Sequence, residues 1–244
     1  MGRKSIRSIL RSSVQRYARA CGYDVRRAMP SPLETASSLL GAESVRACFD
    51  VGAFRGEYAS EIAKSFPSAT IYAYEPNPVE FTRLAATAHA HKRITAIPCG
   101  MGAAVSTAEL HVTAGTASSS LLPLERNAAT EWGQSLAESN RTTVDIVTID
   151  SEATRLGLDV LDFLKIDAQG FEGQILAGGS ALFRERRIRA VQIEILVERS
   201  YVGQALPHEL LAQCHACGMR LRGIYDTYFR DSRLMQFDAL LTTA

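Results

Sequence analysis

The sequence contains no run approaching the roughly 18 apolar residues that a membrane-spanning helix requires. Its first segment also lacks an apolar stretch long enough for a secretory signal. Paired cysteines are missing too: Cys21, Cys48, Cys99, Cys214 and Cys217 are odd in number and have no disulfide-framework spacing. These absences predict a soluble chain in a reducing, cytoplasmic compartment. A strong charge of one sign is likewise absent, with 27 Lys and Arg against 26 Asp and Glu. Eight of those basic residues (Arg3, Lys4, Arg7, Arg11, Arg16, Arg19, Arg26 and Arg27) lie in the first 27 positions, against the single acid Asp24. The body is therefore mildly acidic, which argues against a nucleic-acid partner, because tracking phosphates needs clustered positive charge on the folded domain.

What is present is enough for one α/β domain: 244 residues, 46% hydrophobic and 22% charged, can bury a core without disulfides. Residues 3–20 place Ile6, Ile9, Leu10, Val14 and Tyr17 at helical spacing among arginines, an amphipathic basic helix. It reads as an accessory helix docked on the domain, with peripheral contact to a membrane surface or a partner as the other reading. Met29-Pro30-Ser31-Pro32 breaks it and marks a linker over 29–43. The expected organisation is a basic N-terminal helix and linker over 1–40, then one domain over 41–244.

From Val45 onward, short apolar runs alternate with helical stretches, the pattern of βαβ units and a mainly parallel sheet. Strands are expected over 45–50, 69–75, 93–98, 161–167 and 190–196, and helices over 58–65, 78–89, 171–178 and 207–217. Two further strands over 219–224 and 236–241, joined by 225–233, predict an antiparallel edge pair. Residues 114–143, rich in Ser, Ala and Asn, read as a long loop with a short helix near Trp132, and loops of that length are usually functional.

Three stretches carry chemistry. Asp50-Val51-Gly52-Ala53-Phe54-Arg55-Gly56 joins a strand to a helix, with glycines that let the backbone approach a ligand. The dinucleotide fingerprint G-x-G-x-x-G is absent, so the turn suits S-adenosylmethionine, which has an amino-acid tail, better than a pyrophosphate. Glu75 ends the next strand, 25 residues after Asp50, near the spacing at which an acid meets a ribose diol. Leu164-Lys165-Ile166-Asp167-Ala168-Gln169-Gly170-Phe171-Glu172 delivers Asp167 to a strand end beside the same crevice, and Glu194 ends the neighbouring strand. Two carboxyls facing one crevice raise one pKa and create a candidate base. His208 is an alternative base or substrate contact.

Phe49-Asp50-Val51-Gly52-Ala53, Tyr72-Ala73-Tyr74-Glu75-Pro76, the 164–172 stretch and Gln192-Ile193-Glu194 together resemble the FkbM family of S-adenosylmethionine-dependent methyltransferases over residues 45–241. Pro98-Cys99-Gly100, Ser118-Ser119-Ser120-Leu121, and Tyr201 followed by Gly203 add to the resemblance. It implies a Rossmann-like, doubly wound, seven-stranded sheet binding S-adenosyl-L-methionine through Asp50, Gly52, Ala53, Gly56, Glu75 and Gly100. It further implies O-methylation of a hydroxyl, often on a sugar or a polyketide-like natural product. With Asp167, Glu194 and His208 kept as catalytic candidates from the reading of the residues themselves, the expected acceptor is a sugar, glycolipid or natural product. Phe54 departs from the pattern, since the family usually has Asn there, and an amide near the cofactor's amino-acid end is lost.

Two other classes compete: a non-catalytic binding module of the same fold, favoured by Phe54, and a nucleic-acid methyltransferase, disfavoured by Asp167-Ala168-Gln169-Gly170 and the acidic body. No metal is expected. Cys214-His215-Ala216-Cys217 has no second ligand pair at zinc spacing, and Asp167 with Glu172 or Glu194 does not by spacing alone define a cation site. Asp150 reads as a cap for the next segment, and Tyr225, Tyr228 and Phe229 as edge packing or a sugar-stacking surface.

Overall fold

The computed structural model describes residues 14–21, 29–115, 117–126, 128 and 137–243. Two compact units are present, Met1–Ser31 and Pro32–Ala244. In the first, residues 14–20 form a helix, α1, with Val14 and Tyr17 exposed. The rest of the helix expected over 3–20, and the short helix expected near Trp132, lie outside the described residues. Among the described residues no helix is long and apolar enough to cross a membrane.

The larger unit opens with α2 (Pro32–Leu40), inside the segment read as linker. Pro32 starts this helix because a first-turn residue needs no N–H partner. Leu33, Ala36 and Leu40 are buried in a cluster with Ala59 and Ile62, so α2 belongs to the core of the domain. The chain continues through β1 (Ala47–Val51), α3 (Glu57–Ser65), β2 (Thr70–Tyr74), α4 (Pro78–Ala90) and β3 (Ile94–Ile97). Next come β4 (Gly100–Met101), β5 (Ser106–Thr113), β6 (Glu138–Val147), α5 (Ile149–Leu156), β7 (Leu161–Ile166), α6 (Glu172–Ala177) and α7 (Ser180–Arg184). The last elements are β8 (Ile188–Leu196), α8 (Pro207–Ala216), β9 (Met219–Arg230) and β10 (Arg233–Thr243).

Seven strands form one sheet in the order β3-β2-β1-β7-β8-β10-β9. It is parallel except for β10, which runs antiparallel to both β8 and β9, as the sequence predicts. The chain leaves β1 outward through β2 and β3 and resumes on the other side with β7. The order therefore reverses between β1 and β7, where ligands bind in open α/β sheets. Both central strands are buried along their whole length. One face packs Phe49, Leu164 and Val191 against α5 to α8; the other packs Cys48, Phe163 and Ala190 against α2 to α4.

Two expectations need correction. The last two strands extend past 224 and before 236, nearly to the tip of their hairpin, because Tyr225, Thr227, Tyr228 and Phe229 favour extended backbone. The turn is Asp231-Ser232, both with positive φ, as a two-residue primed turn requires. The stretch 114–143 is not one loop: β6 begins at Glu138 and joins β4 and β5 in a second, three-stranded sheet. Among the described residues its buried apolar cluster is Leu110, Val144 and Ile146, with Ala108, Val112 and Leu121 packed against them, and β6 is otherwise mostly polar and exposed, so the apolar signal was thin.

Candidate active site

A cleft with about 750 Å³ of empty space, counting its mouth, opens at the carboxyl ends of β1, β2 and β7. Its floor includes Val51, Gly52, Asp167 and Gln169; Glu75 and Gly100 stand on one side, and Ser119 to Leu121 supply a wall. Gly52 makes the floor possible. Its φ is 76°, and a Cβ there would penetrate the Asp167 carbonyl oxygen, so any other residue would push β1 and β7 apart.

Glu75 is buried and held by two backbone donors. Its Oε2 accepts from Phe54 N at 2.8 Å and its Oε1 accepts from Asn77 N at 2.8 Å. Burial pushes its carboxyl up to about 7, although those two amides pull the other way. Each oxygen retains a lone pair for a further donor. Phe54 fills its unusual place through its backbone: φ is 51°, left-handed, and its N–H fixes Glu75 while Arg55 stacks 4.5 Å from its ring. Left-handed backbone suits Asn far better than a bulky side chain, which gives a physical reason for Asn at this turn.

On the other side of the switch point lies a carboxyl cluster with one cation. Lys165 Nζ is 3.1 Å from Asp167 Oδ2 and 3.6 Å from Asp50 Oδ1. Asp50 is fully buried, and burial raises its carboxyl despite Lys165. Burial would raise Asp167 as well, but Lys165 and Gln169 outweigh it and hold Asp167 below the usual carboxylate range. Glu194 goes the opposite way: burial and the neighbouring Asp167 charge push it well above that range. The two carboxyls are thus shifted in opposite directions, Asp167 toward the ionised form and Glu194 toward the protonated one. Gln169 Nε2 bridges them, at 2.9 Å to Asp167 Oδ1 and 2.8 Å to Glu194 Oε2. Glu172 does structural work, accepting from Ala168 N at 3.0 Å and Gly170 N at 3.1 Å to hold the turn.

Of the residues singled out from sequence, Gly52, Glu75, Gly100 and Asp167 line the cleft, and Glu194 reaches it through Gln169. Asp50, Ala53 and Gly56 do not. Asp50 lies beneath, with Lys165. Ala53 is buried and donates its N–H to Tyr74 O, and Gly56 caps α3 and packs on Leu84 and Thr87 of α4. His208 is exposed at the start of α8, and the structure does not bring it to the cleft. Asp150 caps α7 by accepting from Ala181 N and Leu182 N. Sequence reasoning did not select Lys165, Gln169 or Tyr201. For Lys165 the signal was available: a charge inside a wholly buried central strand, three residues after Asp162, has to meet a partner.

Fold and cleft together define a doubly wound α/β domain whose ligand crevice lies where the strand order reverses. The chain belongs to the family of the Methyltransferase FkbM domain, whose model matches residues 50–221. It is 28% identical over 153 residues to Methyltransferase sdnD of Sordaria araneosa, a match covering 53% of this chain and 58% of that protein. The chain thus spans little more than half of that relative. Among solved structures it is similar to Methyltransferase FkbM from Methylobacillus flagellatus KT, with a TM-score of 0.48 and 15% identity over 80% of this chain and 43% of that one. It is also similar to magnesium protoporphyrin IX methyltransferase from Synechocystis PCC 6803, solved with bound SAM, with a TM-score of 0.44 and 11% identity over the whole of both chains.

Proposed function

We propose that this chain transfers a methyl group from S-adenosylmethionine to a hydroxyl oxygen of a sugar, glycolipid or natural-product acceptor. The observation that carries the reading is the pairing, across one cleft, of Glu75, whose oxygens are aimed by two backbone amides, with the ionised Asp167. The family supports methyl transfer, and the cleft fits the cofactor: the glycine-bared floor at Gly52 admits a close ligand, and Glu75 offers lone pairs to a ribose diol. Glu75, Gly52 and Gly100 would hold it. When bound, it supplies an electrophilic methyl group on a sulfonium.

Asp167 orients the acceptor hydroxyl and takes its proton; with 31% of its side chain exposed, it is open to the cleft. Lys165 favours the ionised form of Asp167, while burial and the Asp167 charge disfavour a second negative charge on Glu194 beside it. The methyltransferase domain expected over 41–244 is assigned to 32–244, with α2 in its core, and the basic segment before it to peripheral contact with an anionic membrane or partner in the cytoplasm, supported by its arginines and by the five free cysteines.

The test is calorimetric titration with S-adenosylmethionine, followed by Asp167→Asn. Binding in the wild type is expected, and in the variant loss of transfer with cofactor affinity kept within about threefold. Absence of heat at millimolar ligand sinks the enzyme reading in favour of a binding module. Equal loss of transfer and affinity reassigns Asp167 to binding.

A further inference from the structure

We propose that Gln169 is a positioning residue whose side-chain amide, itself held by Tyr201, bridges Asp167 and Glu194 with one N–H each and so locks the carboxyl pair to the cleft wall at 118–120. The hydrogen bonds leave the amide one arrangement. Both hydrogens of Nε2 are spent on the two carboxyls, at 2.9 Å and 2.8 Å, which forces Oε1 to be the acceptor, and the Tyr201 hydroxyl lies 3.3 Å from it. That hydroxyl has one hydrogen, which it shares between Oε1 and the nearer Ser118 carbonyl at 2.9 Å, and the Ser120 hydroxyl donates to the Gln169 carbonyl at 2.6 Å. Ser120 is in turn paired through its backbone with His111 of β5. One residue therefore joins the acid pair to the wall by both its side chain and its backbone.

Its backbone carries strain that these bonds hold in place: φ is 51°, left-handed for a residue with a long side chain. The neighbouring Gly170, at φ 95°, lies against the Tyr201 ring, where a Cβ would come within 3.0 Å of it, so turn and ring are fitted to each other. The charges around the pair explain why a neutral double donor stands here. Lys165 on β7 is the cation, while Glu172 at the start of α6 and Asp238 on β10 add acidic groups, and Gln236 of β10 donates to Glu194 Oε1 at 3.2 Å. A carboxylate in place of the amide would add a negative charge and remove both donors. An apolar side chain would leave Asp167 without its second stabilising donor.

The inference rests on Asp167 as the proton acceptor of the proposed reaction, but its test does not use turnover. Carboxyl carbon-13 NMR titrations of the full chain, with Asp167→Asn and Glu194→Gln to assign the two signals, would follow wild type, Gln169→Leu and Tyr201→Phe. Loss of a hydrogen bond to a charged carboxylate is expected to raise the Asp167 midpoint by about one pH unit in Gln169→Leu, and by less, in the same direction, in Tyr201→Phe. Midpoints within about 0.3 unit of wild type in a folded Gln169→Leu overturn the proposal, since a merely structural role would not move them. Should that variant not fold, an unmoved Asp167 midpoint in Tyr201→Phe overturns it. If Asp167→Asn retains transfer while Gln169→Leu still shifts the midpoint, the base assignment fails and the positioning role stands.

Discussion

Replacing Glu75 by Gln should change how stability responds to pH more than stability itself. In the folded chain the Glu75 carboxyl titrates at about 7, against 4.5 for an ordinary glutamate. Its contribution is complete below pH 4.5 and is lost as pH rises through 7, because in that window the unfolded chain gives up a proton that the folded chain keeps. At about 1.4 kcal/mol per unit, the wild type should lose about 3 kcal/mol across the window. The amide introduced by Glu75→Gln has no proton to lose. It does turn an NH₂ group toward Phe54 N or Asn77 N, both donors to the native side chain, at a cost of about 1–3 kcal/mol at every pH. The variant should therefore be the less stable protein at pH 4.5 and close to wild type, or above it, at pH 8. Urea unfolding of both proteins across that range measures the difference, and titration of Glu172 and Glu194, common to both, cancels in it. A difference constant to within about 0.5 kcal/mol would refute the account of Glu75 as a buried acid held against its own desolvation.

Two more outcomes follow from the packing around the switch point. Gly52→Ala places a methyl against the Asp167 carbonyl and asks Ala to adopt φ 76°, so a loss of at least about 2 kcal/mol is expected in chemical denaturation, together with loss of cofactor binding; a variant of wild-type stability would show that β1 and β7 tolerate separation. Lys165→Met removes the cation between Asp50 and Asp167 and should cost about 3–5 kcal/mol, with part recovered when Asp50→Asn is added; additive losses in that double-mutant cycle would mean that the two do not interact.

Much of this architecture was legible because parallel strands buried on both faces read as near-continuous apolar runs, and 163–166 and 191–193, interrupted by Lys165 and Gln192, nearly do. Glu75 was legible for a related reason: a charge at the end of such a run, followed by Pro76, has to sit at a strand terminus. The second sheet was not, because β6 is a half-exposed strand whose Asn140, Arg141, Thr142 and Thr143 look like loop residues unless the partner strand is known. Gln169 was hidden for a different reason. Its role is set by two carboxyls 2 and 25 positions away and by a tyrosine 32 positions on, and no local pattern joins them. His208 shows the converse, a chemically able residue that α8 leaves facing solvent.

Strand register explains why the acids converge where they do. Asp50, Lys165 and Gln192 are direct neighbours across β1, β7 and β8, so their side chains share a face of the sheet. Two positions earlier on the same face stand Cys48, Phe163 and Ala190, which pack against the α2 to α4 side. Two positions later, past Lys165 and Gln192, stand Asp167 and Glu194. A single face therefore changes along its length from apolar core, through a buried ion pair, to the cleft floor. Gln192 is satisfied on both sides, since the Tyr58 hydroxyl donates to its Oε1 at 2.5 Å and its Nε2 donates to Asp238 at 2.5 Å. Both buried carboxyl oxygens of Asp50, by contrast, lack a hydrogen-bond partner among the described residues and have the Lys165 charge 3.6 Å away. This gradient binds the chemistry to the fold. A one-residue slip of β7 would turn Lys165 and Asp167 to the other face, placing charge among Ile175, Leu176 and Leu182 and removing the ion pair with Asp50 at the same time. The charged residues that form the cleft floor thus also select the register that places them there.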